Sequence, residues 1–194
     1  MKSFGTSTLK KQPNSFAGME DHLVKFSDIP QFTSDGNYQV NQPWDQLESW
    51  ITRQQEKNGL NLDPDFQRAH VWKEAQQRAY VEFCLRGGKH SNMLRFNCVG
   101  WMNDFRGPFV LVDGKQRLEA VRKFLRNELK VFGHTFNEFE DIMGWRYDFV
   151  IVVNSLATRR EVLQWYLDIN AGGVVHTEAE LQHVRNLLKR EGKP

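Results

Sequence analysis

Polar side chains of complementary chemistry follow one another at a single turn near the middle of the chain. An apolar run at 109–112 is typical of a short buried strand, and the residues after it are Asp113, Gly114, Lys115, Gln116 and Arg117. Gly114 permits a sharp turn, and the apolar residues after Gln116 recur at helical spacing. The sequence therefore predicts a strand, a turn and a helix whose N-terminus carries the polar cluster.

A helix N-terminus of this kind favours anions. Its first peptide N–H groups lack partners within the helix, and the helix dipole adds partial positive charge. Lys115 and Arg117 raise the same potential, which favours a phosphate group. An alternative stays open, because Asp113 and Gln116 also have the spacing of a capping box that serves only the backbone. The density of charged and amide groups favours the functional interpretation, since a cap needs only one or two of them.

A loop-like segment at 60–72 carries a second group of candidate ligands. Pro64 holds the segment extended, while Gln67 offers an amide and Arg68 a planar guanidinium. These groups bind phosphate or carboxylate, the guanidinium through two parallel hydrogen bonds. The alternative is a surface loop that Phe66 and Trp72 attach to the protein.

A third candidate is the Gly-rich turn Asn170–Gly173, which lies between two predicted helices. The amides of such a turn allow a ligand to approach the backbone closely. A simple C-terminal cap of the preceding helix is the alternative interpretation.

The composition indicates one globular domain without a membrane partner. The chain has 194 residues, of which 40% are hydrophobic, and its 26 Lys and Arg against 24 Asp and Glu leave a net charge of only +2. Cys84 and Cys98 have no metal-ligand spacing and are expected to be reduced thiols in a cytoplasmic protein. No segment has the ~20 apolar residues of a membrane helix. We expect an N-terminal arm at 1–36 and a domain at 37–194.

Apolar periodicity predicts an α+β fold for that domain. Strands are expected near 93–99, 109–112 and 146–153, and a short extended piece at 37–40. Five main helices are expected: one from Pro43 to about residue 58, and others at 73–86, from Gln116, at 158–168 and from Thr177. A further short helix is expected at 137–143.

Three separated stretches together resemble one family. They are Pro64-Asp65-Phe66-Gln67-Arg68 with Val71-Trp72, then Asp113-Gly114-Lys115-Gln116-Arg117, then Asn170-Ala171-Gly172-Gly173 with Glu180-Leu181. In order and spacing they are similar to the N-terminal domain of GmrSD-type restriction enzymes, which is marked by Pro-x-aromatic-Gln-Arg, Asp-Gly-Gln-Gln-Arg and Asn-x-Gly-Gly elements. The resemblance covers roughly residues 40 to 190.

The resemblance implies a compact fold like that of the ParB and sulfiredoxin superfamily, with a small mixed sheet and about five helices. It also implies an NTP-binding or NTP-hydrolysing regulator coupled to DNA restriction or phage defence. Carried over by position, Asp113 and Gln116 are the expected catalytic residues, and Asp113 is the expected magnesium ligand. The expected nucleotide-binding residues are Gln67, Arg68, Gly114, Lys115, Arg117 and Asn170. The expected cofactor is ATP, GTP or CTP with Mg²⁺.

The chain departs from the family pattern at two points. Lys115 stands where the family more often has Gln, which keeps a donor suited to phosphate. The His-Asn-His nuclease portion of the full-length enzymes is missing, so independent DNA cleavage is not expected. A phage or mobile-element protein that acts as partner, sensor or decoy would suit such a short version.

Two competing functions remain open. Basic residues on two predicted helices offer contacts to duplex DNA, and they are Arg122, Lys123, Arg126, Arg185, Lys189 and Arg190. The chain would otherwise act through contact with a host restriction or defence protein. Arg117 likewise has two expected roles, because it can pair with Asp113 or reach a phosphate, and the second is our expectation.

Overall fold

A four-stranded mixed sheet forms the centre of the domain. The computed structural model describes residues 38–67, 72–89, 91–101, 104–141, 143–144, 146–170 and 178–191, all within one compact unit at 33–194. The strands are β1 (Tyr38–Pro43), β2 (Met93–Cys98), β3 (Phe109–Asp113) and β4 (Asp148–Asn154). Their order is β1-β4-β2-β3, with β2 and β4 parallel and the other two pairs antiparallel.

Five α-helices accompany the sheet in the described part of the chain. They are α1 (Leu47–Asn58), α2 (Glu74–Leu85), α3 (Lys115–Leu125), α4 (Arg159–Asn170) and α5 (Glu178–Glu191). The predicted α+β class, with a small mixed sheet and five helices, is therefore confirmed. Membership of the ParB and sulfiredoxin superfamily stays a prediction. None of the helices in the described part of the chain is both long and apolar enough to cross a membrane.

Two of the predicted helices differ from the observed elements. The short helix expected at 137–143 is wrong, because only a single 3-10 turn forms at Phe136–Glu138. The first helix was expected from Pro43, but that proline ends β1, and a 3-10 turn at Trp44–Gln46 precedes α1. Pro43 lies on an edge strand, where a missing N–H is tolerated.

Apolar side chains on both faces of β3 explain its continuous apolar run. Phe109 and Leu111 belong to the core shared with α1, α2 and α3. Val110 and Val112 point to the opposite face and pack with α4 and α5. A strand covered on both faces has no place for polar residues, so the first charged side chain appears where the strand ends, at Asp113.

Several sequence predictions lie outside the described residues. They are the N-terminal arm at 1–36, Arg68, the Gly-rich part of the turn at 171–173 and the helix start at Thr177.

Candidate functional site at the start of α3

The turn between β3 and α3 accepts only glycine at position 114. Gly114 is the N-cap of α3 and has φ +103°, a conformation that L side chains rarely adopt. A Cβ atom on Gly114 would lie 2.4 Å from the Cδ2 atom of Leu94, which is fully buried. This close approach holds the start of α3 directly against β2.

The capping box that Asp113 and Gln116 offered as an alternative interpretation does not form. The N-cap position belongs to Gly114, and Asp113 is still the last residue of β3. The side-chain oxygen of Gln116 instead accepts a hydrogen bond from the backbone N–H of Trp72 at 3.1 Å. Gln116 is buried, so this bond ties the loop at 60–72 to α3.

Asp113 lies between two arginines. Its Oδ2 atom accepts hydrogen bonds from Arg95 Nη1 and Arg117 Nη2, each at 2.8 Å. The Nη2 atom of Arg117 also donates to the carbonyl oxygen of Met93 at 3.0 Å. Of the two roles expected for Arg117, the structure therefore shows the ion pair with Asp113.

Arg95 belongs to this cluster although the sequence analysis did not select it. It lies on β2 opposite Asp113 in the strand register, next to an irregularity in the pairing. The available signal was a charged residue within an otherwise uncharged and mostly apolar strand, since a charge in such a place requires a partner. The sequence could not tell which carboxylate that partner was.

Side-chain contacts join the Pro-x-aromatic-Gln-Arg segment to the same turn. Gln67 Nε2 donates to the carbonyl oxygen of Leu111 at 2.7 Å. The ammonium of Lys115 forms an ion pair with the carboxylate of Asp63. Asn61 pairs with the free edge of β3 at Val110, so this part of the loop runs alongside that strand. The structure thus brings Gln67, Gly114, Lys115, Gln116 and Arg117 together with Asp113.

The two partners in the ion pair of Lys115 differ in solvent exposure. Lys115 is the first residue of α3, and its side chain is only 18% exposed. Its partner Asp63 is 78% exposed and reaches the ammonium from the loop. A carboxylate therefore already pairs with the lysine whose charge, at the start of the helix, favours an anion. Asp63 has no distinguishing signal in the sequence.

Asn170 is not linked to this cluster. It ends α4, where its side-chain amide donates to the carbonyl oxygen of Tyr166 at 2.7 Å. No hydrogen bond within the described part of the chain connects Asn170 with the residues around Asp113. Through the bond to Tyr166, the side chain of Asn170 satisfies a carbonyl oxygen at the C-terminal end of its own helix.

The expected magnesium site does not fit the residues present. No group of three His, Cys, Asp or Glu side chains in the described ranges is arranged to hold a metal ion. Magnesium is usually held by one or two carboxylates, but Asp113 already accepts from two guanidinium groups. The positive charge of Arg95 and Arg117 opposes a divalent cation at this carboxylate.

The basic surface expected for duplex DNA is partly neutralised. Arg122 and Arg126 both bind the carboxylate of Glu48 on α1, at 2.7 and 2.8 Å. Burial raises the pKa of Glu48, but hydrogen bonds from both arginines outweigh it and hold that pKa below its usual value. These two cations therefore contribute to the packing of α3 against α1.

Comparison of the chain with protein-family models, with curated proteins and with solved structures found no match.

Proposed function

We propose that the turn between β3 and α3 binds the phosphates of a nucleotide and that the domain is a nucleotide-dependent regulator. The convergence of Gln67, Lys115 and Arg117 around one helix start supports the proposal. The resemblance to the N-terminal domain of GmrSD-type restriction enzymes supports the link to restriction or phage defence. The two free, buried cysteines are compatible with a reducing cytoplasm.

The ion pair of Lys115 with Asp63 is the observation that carries the proposal. An exposed loop carboxylate is held by few other contacts, so an anion with more negative charge can replace it at Lys115. A phosphate in that place would also meet the backbone amides at the start of α3. Asp63 therefore acts in the proposal as an internal competitor of the ligand.

The other residues position this binding site. Gln67 and Gln116 attach the loop through Leu111 and Trp72, which fixes the chain on either side of the undescribed Arg68. In the proposal, Arg68 adds a guanidinium to the phosphates. Because Asp113 does not fit a magnesium ligand, no hydrolytic step is assigned to it or to Gln116. The titration described next also tests which base the site accepts, adenine, guanine or cytosine, and whether the NTP is hydrolysed.

Isothermal titration of the full chain with ATP, GTP and CTP tests the proposal, with and without magnesium. Removing the competitor in Asp63→Asn should tighten binding about 1.4- to fivefold, which corresponds to the ~0.2–1 kcal/mol of an exposed ion pair. Lys115→Ala should abolish binding. Asp65→Asn is the matched control, because Asp65 lies in the same loop but pairs with Arg159.

Two results would contradict the proposal. One is the absence of heat with all three nucleotides at protein concentrations well above micromolar. The other is equal affinity of the wild-type protein and both asparagine variants, which would place the ligand away from Lys115.

Neither competing function gains a specific observation. Arg122 and Arg126 offer less charge to duplex DNA because both form ion pairs with Glu48. Contact with a restriction or defence protein depended on the N-terminal arm, which lies outside the described residues.

A further inference from the structure

Three cations line a cavity at the C-terminal end of α2. The cavity has a volume of about 210 Å³, and Arg86, Lys89 and Arg146 line it next to the Gly87–Gly88 turn. None of these three cations forms an ion pair with a described residue. The carboxylate of Asp148 also lines the cavity, but it is occupied by the amides of Asn41 and Asn92, at 2.7 and 3.2 Å. The cavity is therefore suited to an anion.

An aromatic cavity adjoins this basic cavity. It also has a volume of about 210 Å³, and it shares Leu85 and Tyr147 with the basic cavity. Its aromatic lining is Phe124, Phe132, Phe136, Phe139 and Tyr147. The guanidinium carbon of Arg86 lies 5.1 Å from the ring centre of Phe132, so charge and aromatic surface are in direct contact.

The exposed Phe132 has a strained backbone conformation. Val131 and His134 pair through two backbone hydrogen bonds, and the two residues between them have positive φ, +51° at Phe132 and +85° at Gly133. Tight turns of this kind favour Asn-Gly, because a bulky residue is disfavoured at positive φ. Yet Phe132 is 41% exposed, so packing in the core does not account for its place.

We propose that this combined surface binds single-stranded nucleic acid. Arg86, Lys89 and Arg146 hold backbone phosphates, and the exposed rings of Phe132 and Phe139 stack against bases. Asp141 also lines the aromatic cavity and repels phosphates, so the phosphates are expected along the arginines of the basic cavity. A duplex does not satisfy this surface, because its bases are already stacked and paired. The surface shares no residue with the nucleotide site proposed at α3, so the two proposals stand independently.

Fluorescence anisotropy of the full chain tests this proposal. The probes are a fluorescein-labelled oligothymidylate of about 20 nucleotides, longer than the ~4–16 that one small domain covers, and a duplex of equal length. The single strand should bind more tightly than the duplex. With three phosphate contacts, the logarithm of the binding constant should fall with the logarithm of salt concentration with a slope of about −2.

Two pairs of matched variants locate the binding. The triple variant Arg86→Ala, Lys89→Ala, Arg146→Ala should lose at least about tenfold in affinity and most of the salt slope. Its control carries the same charge loss at three exposed cations elsewhere that form no ion pair with a described residue: Arg53→Ala, Lys57→Ala, Arg160→Ala.

The second pair tests the aromatic contact. Phe132→Ala should weaken binding about 5- to 150-fold, the equivalent of one stacked base. Phe105→Ala is its control, because Phe105 is also exposed, at 46%, and also has positive φ, +49°.

A melting curve confirms that each variant is folded. Equal losses in the variants and their controls, tighter binding of the duplex, or no anisotropy change at low salt would each overturn the proposal.

Discussion

Replacement of Arg117 by alanine should destabilise the protein even without any ligand. One nitrogen of this guanidinium joins three elements, because it donates from α3 to Asp113 at the end of β3 and to the Met93 carbonyl on β2. The side chain is only 22% exposed, so water replaces these bonds poorly.

The magnitude follows from these contacts. A hydrogen bond to a charged group is worth about 1.5–3 kcal/mol, and the two bonds share one donor atom, so they do not add fully. Arg95 still neutralises Asp113 in the variant, which avoids the ~3–5 kcal/mol cost of an unpaired buried charge. We expect Arg117→Ala to lower the free energy of unfolding by about 2–3 kcal/mol. In a chain of this size, that lowers the melting temperature by about 4–12 °C.

Urea unfolding followed by circular dichroism, together with a thermal melt, measures this change. Arg159→Ala is the control, because Arg159 also pairs with two carboxylates but is 43% exposed, and its loss should cost less than about 1 kcal/mol. Arg117→Lys should fall between the two variants, since it keeps the charge but loses the planar guanidinium.

The opposite pattern would refute this reasoning. If Arg117→Ala unfolds like the wild type and only loses the nucleotide-induced rise in melting temperature, the side chain contacts the ligand and not the fold. That rise would be worth about 2.7 kcal/mol at a hundredfold excess over the dissociation constant.

Three further predictions concern stability. Gly114→Ala should cost about 3 kcal/mol or more, because it adds a clash with Leu94 to the ~1–2 kcal/mol of left-handed strain. Gly59→Ala is the control and should cost the strain alone, because Gly59 has φ +62° and a Cβ there would meet nothing within 4 Å. Equal urea midpoints of the two variants would refute this. Glu48→Gln should cost up to about 1 kcal/mol at pH 7. The pKa of Glu48 is lowered in the folded protein. The difference in stability between Glu48→Gln and the wild type should therefore be complete above the unfolded-state pKa of ~4.3 and vanish as the pH falls through the folded-state pKa. A stability difference that persists in acid would contradict this prediction. Asn154→Leu should stabilise the protein by about 1–2 kcal/mol and raise the urea midpoint, because both side-chain polar atoms of Asn154 are buried with no hydrogen-bond partner among the described residues. A loss of stability would show that a partner exists.

The short-range features of the fold were accessible from the sequence. The runs at 109–112 and 149–153 predicted β3 and β4, and helical spacing predicted α2, α3 and α4, because burial of one face imposes a period that the chain itself displays. Gly114 was recognisable as a turn residue for the same local reason. The helix at 137–143 failed because its few apolar residues, among them Phe139 and Met143, line the aromatic cavity and do not form a helix face.

Long-range pairing was decided only by the tertiary structure. The sequence placed Asp113 beside Arg117 but could not tell that Arg95, on another strand, completes the cluster. It also gave no sign that Asp63 forms an ion pair with Lys115, or that the backbone N–H of Trp72 donates a hydrogen bond to the side-chain oxygen of Gln116. A carboxylate, a lysine and an amide each accept many partners, and their types do not specify which one lies within 3 Å. The order of the strands and the path of the loop along β3 make that choice, so the charge left for a ligand is a property of the folded chain.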